Sequence, residues 1–192
     1  MEKCLLNKRK VAYTTILATA LSFMMQNSAF ADGFTFIENS GEYLITDDAT
    51  SSTSAESTIQ SALDAASLRN SANTIKFSIN DYTIVVTTPL TYTGSNSLTF
   101  DGANNLTVEK VRLALVNSAD AIIKIAPTAE GAAPTLSLNN IQLNAQTYGQ
   151  NVLTPGSVVV TDSTIINGSS SSDGGAIKSG GDVTIIRSEL SN

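Results

Sequence analysis

Three nine-residue stretches, beginning at Thr135, Ser157 and Asp182, place their apolar residues in one frame. Aliphatic side chains hold the second and fourth places (Leu136 and Leu138, Val158 and Val160, Val183 and Ile185). A polar break follows (Asn139-Asn140, Asp162-Ser163, Arg187-Ser188), and the ninth place is aliphatic again (Leu143, Ile165, Leu190). Leu136, Val158 and Val183 are spaced by 22 and 25 residues. In a strand the second and fourth residues point to the same face, so each stretch offers two inward aliphatics, too few to be buried alone. Stacking one coil on the next pairs the backbones in parallel and joins the aliphatics into internal ladders. The polar breaks mark the bends, where Asn tolerates the left-handed backbone angles a corner requires. The expected fold is all-β, a right-handed parallel β-helix.

The same alternation gives strand candidates at 74–79, 82–87, 97–100, 106–115, 121–125, 135–143, 158–166, 176–177 and 183–190. Nearer the N-terminus, Gly33 to Thr46 reads as one or two short strands around Phe34, Phe36, Tyr43 and Ile45, with Ser40-Gly41 as the turn. A Ser/Thr-rich linker leads into a helix expected to begin at Ser57, where Gln60 completes a capping box. Ile59, Ala62, Leu63 and Ala66 form one narrow apolar stripe, suited to covering the open first coil as an N-terminal cap; the alternative is a frayed helix in a linker. An antiparallel sandwich also yields short strands and frequent turns. It is disfavoured because Asp101-Gly102 and Asn167-Gly168 are not followed at once by a returning strand.

The first ten residues carry Lys3, Lys8, Arg9 and Lys10, and an uncharged, mostly apolar run extends from Val11 to Met25. Ala29 and Ala31 are the small residues a signal peptidase reads, so residues 1–31 are expected to be a signal peptide cleaved before Asp32. A membrane anchor is the alternative, but the run is short and broken by Thr14, Thr15, Thr19 and Ser22. Residues 32–72 then form the N-terminal cap region and residues 73–192 the coils. The chain stops inside a repeat, with neither a further cap nor a transmembrane barrel, so the coils are expected to be truncated relative to a longer product.

Composition narrows the chemistry. Residues 32–192 hold 7 basic and 16 acidic residues, a formal net charge of −9, which repels polyanions and sets nucleic acid aside as a partner. They contain no Cys, and the chain has no His, so zinc held by thiolate or imidazole is excluded. Asp162, Asp173, Asp182 and Glu189, with Lys178 and Arg187, are the best candidates for a glycosidase pair or a metal-assisted lyase site. They are scattered along the coils, and the expectation is surface charge, with no catalytic residue, cofactor or metal. Gly180-Gly181-Asp182 is too short for a calcium-binding nonapeptide array. Asn105 and Asn167 open glycosylation-type triplets that read as turn and strand residues.

Gly174, Gly175, Ala176 and Ile177, followed by a glycine-containing turn and the strand from Val183, resemble the GGAI-type repeat of polymorphic outer membrane proteins and related autotransporter β-helix passengers. The stretch Ser67 to Phe77 resembles the cap-to-first-coil junction of many exported β-helix proteins. The resemblance implies a scaffold on the cell surface, held to the outer membrane through a C-terminal portion not present in this chain, or secreted. It implies adhesion to a host or bacterial surface protein or glycan. A polysaccharide-binding or polysaccharide-degrading β-helix and a remnant of a larger surface protein are the alternatives.

Overall fold

The structure, a computed structural model, describes residues 33–48, 51, 53–79, 83–102, 111–117, 120–171 and 174–191. Ala29 and Ala31, with the rest of the expected signal peptide, lie outside these residues, as do Tyr82, residues 103–110, Asp173 and Asn192.

Two strands, β1 (Phe34–Asn39) and β2 (Glu42–Asp47), form an antiparallel hairpin. Its turn places Ser40 and Gly41 at φ 53° and 93°. Two consecutive positive φ values match the right-handed twist of the flanking strands, and the glycine takes the second at no steric cost. Every later strand pairing among the described residues is parallel. The first coil is β3 (Asn73–Phe77), β4 (Thr83–Val86) and β5 (Leu90–Tyr92); the second is β6 (Leu98–Asp101), β7 (Val111–Leu115) and β8 (Ala121–Ile125). The third is β9 (Leu136–Asn139), β10 (Ile141–Asn144) and β11 (Gln150–Thr154), and the fourth is β12 (Val158–Thr161), β13 (Thr164–Ile166) and β14 (Ile177–Ser179). β15 (Val183–Ile186) and β16 (Glu189–Ser191) begin a fifth. The coils wind into a β-solenoid of about five turns with three sheets: β1-β2-β3-β6-β9-β12-β15, β4-β7-β10-β13-β16 and β5-β8-β11-β14.

The register follows the sequence frame. Leu136 pairs with Val158 and Val158 with Val183, while Leu143 pairs with Ile165 and Ile165 with Leu190. One inward column of the first sheet runs Tyr43, Ile75, Phe100, Leu138, Val160, Ile185. The second sheet contributes Ile84, Leu113, Leu143, Ile165, Leu190, and the third Leu90, Ile123, Val152, Ile177. These columns are buried through the middle coils and become exposed at Ile185 and Leu190 in the last described coil.

The corner between the first and second sheets shows why the break is polar. Asn140, Asp162 and Arg187 hold the same place in three successive coils, at φ 49°, 50° and 46°. Asn and Asp enter this region readily. Arg187 sits there because its guanidinium reaches the stacked Asp162, at 2.7 and 2.6 Å. Serine then joins the coils: Ile141 N donates to Ser163 Oγ and Ser163 N to Ser188 Oγ, so backbone donors that a bend would orphan are satisfied.

The helix α1 (Ala55–Ser67) begins earlier than expected. Ser54 is the N-cap, its Oγ accepting from Ser57 N at 3.2 Å, so Ser57 lies inside the first turn and the Ser57/Gln60 capping box does not form. Gln60 instead bonds Asp64 and, through both ends of its amide, the backbone of Thr91. Glu56 bonds the backbone N–H and hydroxyl of both Thr87 and Thr88. Ile59, Ala62, Leu63 and Ala66 are buried, and α1 contacts β1 through β5. Asn73 fastens the junction, its amide donating to Ala66 O and Ser71 O.

Two strands were not expected, β5 and β11. β5 alternates but is only three residues long behind Pro89, too short to stand out, and β11 opens on Gln150-Asn151 with no alternation of polarity. The candidates 135–143, 158–166 and 183–190 each resolve into two strands at their polar break, and residues 106–110 lie outside the described part of their strand.

Candidate functional site

In a stack of parallel coils the outward residues also form columns, roughly 4.8 Å per step. On the second sheet the outward column is Thr83, Arg112, Gln142, Thr164 and Glu189. On the third it is Thr91, Lys124, Leu153 and Lys178. This last column borders two hollows that share Leu153 and Lys178 as a common wall.

The first hollow, about 430 Å³, is polar. It is lined by Asp120 just before β8, by Gln150 at the start of β11, by the Tyr148-Gly149 loop and by Ser169 to Ser171 of the next coil. Asp120 is bound to Lys124 at 2.8 Å, and that ammonium holds its carboxyl below the usual carboxylate range. Gln150 is buried and donates its amide to Gly174 O at 3.2 Å. Tyr148 is 47% exposed, whereas Tyr43 and Tyr92 are buried in the core. The second hollow, about 400 Å³, is apolar, lined by Ile125, Ala126, Pro127 and Pro155 beside the shared residues.

Asn151, next to Gln150, turns inward and is fully buried. Its Nδ2 donates to Ile166 O at 3.0 Å, while its Oδ1 has no partner among the described residues. The smaller hollows beside α1 offer less for a ligand, because the Glu56 carboxylate there is committed to Thr87 and Thr88.

Of the charged residues singled out from sequence and described in the structure, Lys178 lines the polar cleft, and Asp162, Asp182, Glu189 and Arg187 do not; Asp173 lies outside the described residues. Asp162 lies against Arg187; Asp182 N donates to Ser157 Oγ, and the Glu189 carboxylate accepts from the Ser191 hydroxyl. The described acids therefore do not converge, and among the described residues no three His, Cys, Asp or Glu gather as metal ligands. Gly174 adopts φ 58°, and Ile177 lies in β14. Gly175 faces Gly168 so closely that a Cβ at Gly168 would collide with the Gly175 carbonyl oxygen, a place that only glycine fits. Ala176 O accepts from the N–H of both Asn151 and Val152. Asn167, at φ 53°, has its amide donating to Asn144 Oδ1, while Asn105 lies outside the described residues.

Tyr148, Gln150 and Asp120 were not among the candidates from sequence. The available signal was one aromatic in a polar loop of a chain only 6% aromatic. No helix among the described residues is long and apolar enough to cross a membrane. No family model, no curated protein and no solved structure matches the chain.

Proposed function

We propose that the chain is an exported, surface-exposed β-solenoid with a structural or adhesive role, of the kind that polymorphic outer membrane proteins and autotransporter passengers present to host or neighbouring cells. The observation that carries this reading is the division of labour between faces: the inward columns are apolar and buried through the middle coils, while the outward columns face away from the core, where a partner can be met without disturbing it. Right-handed winding is the hand expected for parallel crossovers. In this reading α1 and the β1–β2 hairpin close the base of the first coil, and residues 1–31 direct export.

The test is to express the whole chain with a C-terminal epitope in a Gram-negative host, fractionate the cells, sequence the N-terminus of the exported product and measure its binding to epithelial and bacterial cells. Export with Asp32 as the first residue, followed by saturable binding, is the expected result. Retention in the cytoplasm with residues 1–31 attached, or export without binding to either cell type, sinks it.

A further inference from the structure

The side chain of Tyr148 is poorly accounted for by folding. Its ring is half exposed, and the loop that carries it is nevertheless clamped to the next coil on both sides. Thr147 N donates to Asn167 O, and Ser169 N donates to Gly149 O, each at 2.8 Å. Gln146 N is held by Asn144 Oδ1 at 3.0 Å. A flat amphipathic ring carried on a backbone held in this way makes contact with less ordering of the loop to offset, the general basis of preorganised recognition.

Beside the ring the cleft combines hydrogen-bonding groups of both senses: the Asp120 carboxylate accepts, the Lys178 ammonium donates, and the Ser169 and Ser171 hydroxyls do either. Lys178 is exposed and has no carboxylate partner among the described residues, whereas Arg69, Lys76, Lys124 and Arg187 are ion-paired. The volume of about 430 Å³ falls within the range of small-ligand sites. A ligand matching this lining has many hydroxyls, which need donors and acceptors together, and one flat C–H face for the ring. It carries no large negative charge, because residues 32–192 have a net charge of −9.

We propose that the cleft framed by Tyr148, Gln150, Asp120 and Lys178 binds a short neutral saccharide, its pyranose face on the Tyr148 ring and its hydroxyls on the flanking polar groups. This rests on the binding role proposed above and names its ligand class.

Binding to the exported protein is measured by isothermal titration calorimetry, a readout that does not depend on the Tyr148 ring being present in each variant. The probes are lactose, maltotriose, chitotriose and mannotriose in one arm and heparin and polygalacturonate in the other. At least one neutral sugar saturates with a Kd between about 10 µM and 1 mM. Tyr148→Ala weakens it about tenfold or more, Tyr148→Phe keeps most of it, and Lys178→Gln weakens it about threefold. Far-UV circular dichroism verifies that each variant is folded. No binding of any neutral sugar, binding of the polyanions alone, or equal affinity in Tyr148→Ala overturns the assignment. If cell binding persists in those cases, the adhesive reading stands and only the ligand class falls.

Discussion

Leu143 and Leu190 occupy the same place in the coil, two turns apart, and differ in what lies above them. Leu143 is fully buried between Leu113 and Ile165, while Leu190 is 37% exposed beyond Ile165. Replacing each by alanine removes the same atoms from one column. For Leu143 three buried carbons at about 0.8 kcal/mol each give about 2.4 kcal/mol, and an incompletely collapsed cavity adds about 1 kcal/mol. The expected loss is therefore about 3.5 kcal/mol. For Leu190 part of the transfer is already forfeited to solvent and the open side lets the void collapse, leaving about 1 kcal/mol. With a urea dependence near 2 kcal/mol per M, the midpoints fall by about 1.7 M and about 0.5 M. The assay is urea unfolding of the purified chain followed by far-UV circular dichroism and tyrosine emission together, so that a single transition is verified. Equal shifts for the two variants, or a loss below about 1 kcal/mol for Leu143→Ala, would refute the stacked-column account.

Ser163→Ala leaves the buried Ile141 N–H without its acceptor and is expected to cost about 1–3 kcal/mol in the same assay, with the more exposed Ser188→Ala costing less. Asn151→Asp places a carboxylate in the fully buried position facing Ile166 O; the variant should melt well below the parent at pH 7 and approach it as the acid protonates. Burial raises the Glu56 pKa, but hydrogen bonds from Thr88 and Thr87 together outweigh it and leave the group below its ordinary value of 4.5. That contribution is present above the ordinary value and is lost as pH falls through the lower folded value. Thermal melts between pH 6 and pH 2.5 should therefore show a shallower acid slope for Glu56→Gln than for the parent.

What could be read in advance was whatever repeats. The frame of Leu136, Val158 and Val183 set the register to the residue, because a one-residue slip would have turned every aliphatic outward. The corner at Arg187 was legible only by alignment with Asn140 and Asp162, since arginine itself signals no left-handed bend. β5 was too short for its alternation to count, and β11 is a strand through its partners and not through its own side-chain pattern. The helix start was placed one turn late because Ser54 and Ser57 are equally plausible caps locally. Glu56, engaged with Thr87 and Thr88 some thirty residues on, is held in the first turn by the earlier choice. The cleft was invisible for a related reason: Asp120, Tyr148 and Lys178 belong to three different coils and meet only once the coils are wound.

The turns between strands differ in length while the pairing does not. Three residues separate β11 from β12 and ten separate β8 from β9, yet Leu98 still faces Leu136 as Leu136 faces Val158. Chain added at a corner leaves sideways and places no demand on the ladder. Such a frame can carry foreign segments, an epitope or a tag, at the β8–β9 bend around Glu130 and Gly131, and can diversify its outline there while its interior stays constant.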